Sequence, residues 1–171
     1  PEDALDTIGS LGTTNVVLRP DGTADTMDLA VTDGTEFTLT TNDIAELKSG
    51  TGTVTLGNTN QTGALTLGAA VDLAGRTVTI NSGQVNDSTN ALIANSLTLD
   101  INSGTSANTV KTTVSTLAVN TTDSTDATGR SITVTETDGV ALGVVNVSTG
   151  TFNLTAPGAI TQTGVMTADK L

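Results

Sequence analysis

The side chains able to do chemistry are few in this chain, and they are mostly acids. Four groups stand close together in sequence: Asp21/Asp25/Asp28, Asp33/Glu36, Asp123/Asp126 and Glu136/Asp138. Two carboxylates on one face can run glycoside hydrolysis, one as general acid and one as base or nucleophile. Such sites usually add aromatic side chains for sugar stacking. Here there is no His, Trp, Tyr or Cys, and Phe37 and Phe152 are the two aromatics. Each acid group therefore reads as a solvated loop, no residue is assigned a catalytic role, and the chain is expected not to be an enzyme.

Calcium is the cofactor that the residue types come nearest to supporting, since Asp and Asn in Gly-containing turns supply hard oxygen ligands. The best stretches are Asp21-Gly-Thr-Ala-Asp25 with Asp28, and Thr135-Glu-Thr-Asp138-Gly139. Neither has EF-hand spacing, and the Gly-Gly-x-Gly-x-Asp nonapeptide is absent. Asx-turns account for these acids without an ion, so no cofactor is assigned and the metal ligands stay unknown. Thr-x-Thr units at Thr38/Thr40, Thr53/Thr55, Thr77/Thr79 and Thr133/Thr135 raise an ice-binding surface. A flat face needs them aligned in successive layers, and Leu97-Thr-Leu99 and Leu117-Ala-Val119 are expected to interrupt the ladder. Outward Thr on a wet strand face is the simpler reading. Asn-x-Ser/Thr sequons at Asn60, Asn86, Asn120, Asn146 and Asn153 follow from the composition.

The elements that carry these residues are short strands. Of 171 residues, 38 are Thr and 3 are Pro, so β-branched residues dominate and ladders run uninterrupted. The exception is 41–47, where a cap at Thr41 followed by Ile44 and Leu47 predicts a single helical turn in a loop. The strand cores are Phe37-Thr-Leu39, Val54-Thr-Leu56, Leu65-Thr-Leu67, Val78-Thr-Ile80, Leu97-Thr-Leu99, Leu117-Ala-Val119, Ile132-Thr-Val134 and Phe152-Asn-Leu154. With Leu65 taken as a second face of its own turn, the starts recur about every 19 residues, the mark of a solenoid. Second strands at 69–73, 139–147 and 159–161 make two or three strands per turn. The expectation is an all-β parallel β-helix over 1–171, one domain of about nine coils, with aliphatic residues stacked inward. A sandwich or barrel competes, but tight turns of the Asp-Gly kind are few: Asp21-Gly22, Asp33-Gly34 and Asp138-Gly139.

The formal charge of −12, with six scattered basic residues, disfavours nucleic acid and anionic membrane as partners. Ten of the eighteen acids precede residue 50. No apolar run reaches membrane-spanning length, and no basic-then-apolar signal segment starts the chain.

The wording of the repeats resembles the long repetitive region of filamentous-haemagglutinin-like bacterial adhesins, exported by two-partner secretion or related routes. The segments that carry the resemblance are FTLTTNDIAELKSGTGTVTLGNTNQTGALTLG (37–68), VDLAGRTVTINSGQVND (71–87) and LIANSLTLDINSG (92–104). It continues through TTVSTLAVNTTDSTDATGRSITVTETDGVALG (112–143) and GTFNLTAPGAITQTGVMTADKL (150–171). Residues 1–36 match less clearly, and the family's amino-terminal secretion domain is not evident. The resemblance implies a right-handed parallel β-helix forming a stalk, an extracellular or cell-surface location, and binding activities in separate parts.

Neither Pro1–Ser10 nor Met166–Leu171 reads as an amphipathic capping helix. Open solenoid ends are therefore expected, with partners that are copies of the chain or adjacent repeats. Three functions follow: a structural rod of an adhesin or fibre, a module binding glycan or a host or environmental surface, and a polysaccharide-active enzyme.

Overall fold

A computed structural model describes residues 15–32, 36–102, 104–121 and 126–170. The readings made at Pro1–Ser10, Asp33-Gly34, Asp123 and Leu171 lie outside them. In chain order the elements are β1 (Val16–Leu18), β2 (Met27–Leu29), β3 (Phe37–Leu39), α1 (Thr41–Lys48), β4 (Thr53–Leu56) and β5 (Ala64–Leu67). The long strands β6 (Val71–Ser82), β7 (Gln84–Ile101) and β8 (Asn108–Asn120) follow. Then come α2 (Ala127–Arg130), β9 (Ile132–Glu136), β10 (Val140–Asn146), β11 (Phe152–Thr155), β12 (Ile160–Gln162) and β13 (Met166–Thr167). All eight expected strand cores lie in strands.

The strands stack as a β-solenoid of about six turns, not nine. At about 4.8 Å per coil, the stack is roughly 29 Å long. The shortfall comes from the N-terminal third, where the repeat does not hold. Val16 pairs with Val54, 38 residues on, so a single coil absorbs β2, β3 and α1. Beyond it the spacing settles: Val54 pairs with Val78, Val78 with Leu97, and Leu97 with Leu117. Every pairing between described strands is parallel. Parallel neighbours need a crossover, and here each crossover is one circuit of the coil.

Three walls result. The first runs β1-β4-β6-β7-β8-β10 and ends on β12 and β13, using the second halves of β6 to β8. The second runs β3-β2-β5, then the starts of β7 and β8, then β9 and β11. The third is shorter: 71–73, 91–94 and 111–114. Strands β6 to β8 bend from wall to wall, with register shifts at the bends between Leu73 and Thr77 and between Asp87 and Ala91.

Alternation explains the walls. In Thr53-Val-Thr-Leu56 the apolar pair is buried, and the same pattern returns in Thr77-Val-Thr-Ile80 and Ser96-Leu-Thr-Leu99. Side chains at i and i+2 share a face, so each coil adds one aliphatic residue to each interior column. One column is Val54, Val78, Leu97, Leu117 and Leu142; its neighbour is Leu56, Ile80, Leu99 and Val119. All are at most 4 % exposed, which makes the core one continuous shaft.

Corners need special residues. Gly57 has φ +84°, and a Cβ there would sit 2.1 Å from the Asn81 carbonyl oxygen of the next coil. Glycine is required twice over, by handedness and by the close approach. At the start of the second wall, Asn108 bridges coils with its side chain. Its Oδ1 accepts from Val85 N (3.0 Å) and its Nδ2 donates to Gly129 O (2.8 Å).

The helix is longer than the single turn expected. α1 has eight residues, and the cap is Thr40 rather than Thr41. Thr40 Oγ1 accepts from Asp43 N, while Asp43 Oδ2 accepts from Thr40 N (2.7 Å), a reciprocal capping box. Ile44 and Leu47 are buried, and the helix packs on β6. It takes the place of a strand where the third wall begins.

Candidate functional site

The acids are the first candidates, and the backbone uses most of them. Asp25 Oδ2 accepts from Gly22 N (2.7 Å), Glu36 accepts from Thr26 N, and Asp126 Oδ1 caps α2 through Gly129 N (2.7 Å). Asp28 lies on the outer face of β2, and Asp138 is exposed at a turn. Among the described residues no three acids, His or Cys are grouped to hold a metal ion. Glu36 does reach the segment of Asp25 and Asp28, through Thr26 N.

Glu136 is different, because it is 1 % exposed. Its carboxylate accepts from Thr112 Oγ1 (2.8 Å), Val114 N (3.2 and 3.3 Å) and Thr137 N (2.9 Å). The reason lies in the chain path. β9 pairs with β8 as far as Thr112–Glu136 and then leaves the third wall. Val114 N–H is left without a strand carbonyl, and the carboxylate takes that carbonyl's place. Glu136 thus ends the third wall as α1 begins it.

Arg76 was not singled out from sequence. It follows Gly75 (φ +86°) at the bend in β6 and shares the inward parity of Val78 and Ile80. Its side chain is fully buried, and none of its three guanidinium nitrogens has a hydrogen-bond partner. Burial pushes its pKa below the ordinary guanidinium value.

The Thr-x-Thr units do not form one ladder. Thr38 and Thr133 lie on the second wall, Thr53/Thr55 and Thr77/Thr79 on the first. On the first wall the hydroxyl columns run further than expected. Leu97 is in register with Val78, so Ser96 and Thr98 continue both columns, which break at Ala118 and Ala141. A shallow notch of about 260 Å³ on the outer corner, lined by Ala74, Gly75, Asn95, Ser115 and Asp138 among others, carries no aromatic residue.

The ends carry the largest departure from a finished surface. After β11 the chain turns at Pro157-Gly158 straight back to the first wall, so the last coils have no third wall. Gly158 N donates to Asp138 O (3.0 Å) at that corner. Between the two remaining walls lies an apolar groove of about 350 Å³, lined by Leu142, Phe152, Leu154, Ile160, Thr161, Gln162 and Met166. Phe152 is covered, but Leu154 and Met166 are half-buried, Ile160 is 49 % exposed and Val165 71 %. At the opposite end Val16, Leu18 and Phe37 are half-buried against the core, and Val17 is 62 % exposed. Phe152, Leu154 and Ile160 are in register with inward Ile132, Val134 and Val140. Their parity is inward, yet no described coil covers the last two.

No helix among the described residues is long and apolar enough to cross a membrane. Comparison with protein-family models, with curated proteins and with solved structures finds no match for this chain.

Proposed function

We propose that this chain is structural: a rigid β-solenoid rod, a segment or subunit of an extracellular bacterial adhesin or fibre, extended axially through its ends. The observation that carries the reading is the continuous aliphatic shaft left open at the C-terminal groove. Asp25, Glu36, Asp126 and Glu136 serve the backbone, as caps, turns and the end of a wall. Stiffness follows from parallel ladders that tie each coil to the next and from columns that close-pack along the axis. The wording of the repeats, similar to that of adhesin stalks, supports the surface location.

Glycan arrays and turnover assays on acidic polysaccharides test the reading. It predicts neither saturable glycan binding nor turnover. Binding abolished by Asn95→Ala or Ser115→Ala at the corner notch would make the chain a recognition module, and turnover would make it an enzyme.

A further inference from the structure

The polarity of the walls says what the open groove accepts. Every ladder is parallel, so the exposed edges of β11, β12 and β13 need the opposite edge of parallel strands. Among the described residues the chain presents those edges at its other end, β1 in the first wall and β3 in the second. Two interior columns also match, while a third, begun by Val16, ends on exposed Gln162. Met166 ends the column that Leu18 begins, and the Phe152 column begins with Phe37. All but Phe152 are incompletely covered. The third wall offers no such pair, because α1 occupies one limit and the Glu136 carboxylate the other.

Resting on the rod reading, we propose that a second copy of this chain docks head to tail on the C-terminal groove. It joins through the first and second walls alone. The third wall stays interrupted at each junction, so the assembly is a polar rod with a lateral opening once per subunit. A contact of this heterologous kind does not close on itself and propagates.

The absence of cysteine in the chain makes the register directly testable. Thr161 stands in the outer column that runs through Ala141, Thr116, Ser96, Thr77 and Thr53, and Asn15, whose Oδ1 accepts from Thr53 N, heads it. Stacked neighbours about 4.8 Å apart fall within the Cα separation that a disulfide spans. The double variant N15C/T161C should therefore give a ladder of oxidised oligomers. N15C/T163C, displaced by two residues, and E46C/D138C, on the third wall, should not. Ile160→Lys places a charge in the groove at a half-exposed position. It should weaken association at least tenfold, read by sedimentation, with melting unchanged.

A wild-type chain that stays monomeric at millimolar concentration overturns the docking. So does an Ile160→Lys chain that assembles like wild type. Cross-linking of E46C/D138C or N15C/T163C as efficient as that of N15C/T161C, or oligomers that give no ladder at all, overturns the register. A monomeric but elongated and inert chain removes the docking and leaves the rod reading standing. Turnover or glycan binding by an assembled chain does the reverse.

Discussion

Replacing Glu136 tests the idea that a side chain can end a wall. Leu in its place keeps the volume and removes both acceptor oxygens. Two donors lose their partner, Thr112 Oγ1 and Val114 N, whereas Thr137 N keeps the Thr112 carbonyl oxygen (3.0 Å). Both orphaned donors lie out of reach of water, since Thr112 is fully buried and Val114 is 3 % exposed. Each buried donor left unpaired costs about 1–3 kcal/mol, so two cost about 2–6. Relief from burying a carboxylate offsets part of that, and a net loss of about 2–4 kcal/mol is expected. Glu136→Gln keeps one acceptor and turns an NH2 toward a donor, for a loss of about 1–2 kcal/mol. Urea denaturation followed by circular dichroism measures the order: wild type, then Gln, then Leu. Removing the orphaned hydroxyl in T112V/E136L should recover about 1 kcal/mol relative to Glu136→Leu alone. A Leu variant as stable as wild type would refute the carbonyl-substitute role.

Arg76→Leu removes a buried cation without a partner and should raise stability by about 1–4 kcal/mol in the same assay; a fall would mean that the guanidinium has a partner in solution. Leu99→Ala opens a cavity in mid-shaft and should cost about 2–5 kcal/mol, whereas Leu154→Asp, half-buried at the open end, should cost under about 2 kcal/mol. Equal losses at the two sites would contradict an open C-terminal groove. The Asp72 carboxyl is held below its ordinary value by the hydrogen bond from Lys48 and then by Ala74 N. A depressed carboxylate stabilises the fold above its unfolded pKa, about 3.9, and loses that contribution as pH falls through the folded value. Both partners are more than 40 % exposed, so Asp72→Asn should cost less than about 1 kcal/mol at pH 7 and flatten the melting profile only below about pH 4.

Much of this fold is legible in the residues because a parallel stack makes local and global patterns agree. Val78-Thr-Ile80 alternates for the same reason that Leu97-Thr-Leu99 does: each lies directly on the other. The coil count is not legible, because counting assumes a constant period and the first coil breaks it with a helix. Even there the signal exists: Thr40 and Asp43 form a capping box three residues apart, ahead of Ile44 and Leu47. The special side chains were harder to find. Glu136 reads as a loop acid until its partner Thr112 is seen 24 residues back, one coil away. Arg76 carries no sequence signal beyond the glycine before it. Interior parity predicts that Ile160 points inward, but not that it stays 49 % exposed.

The central claim is that this chain holds its neighbours in an axial stack, and cryo-electron microscopy of the native material tests it most directly. The expected result is a filament with a strand spacing of about 4.8 Å along its axis and a subunit repeat of roughly 34 Å, one spacing for each of the strand layers from β1 to β12, the junction included. Discrete globular particles, or fibres whose strands run along the axis, would contradict it.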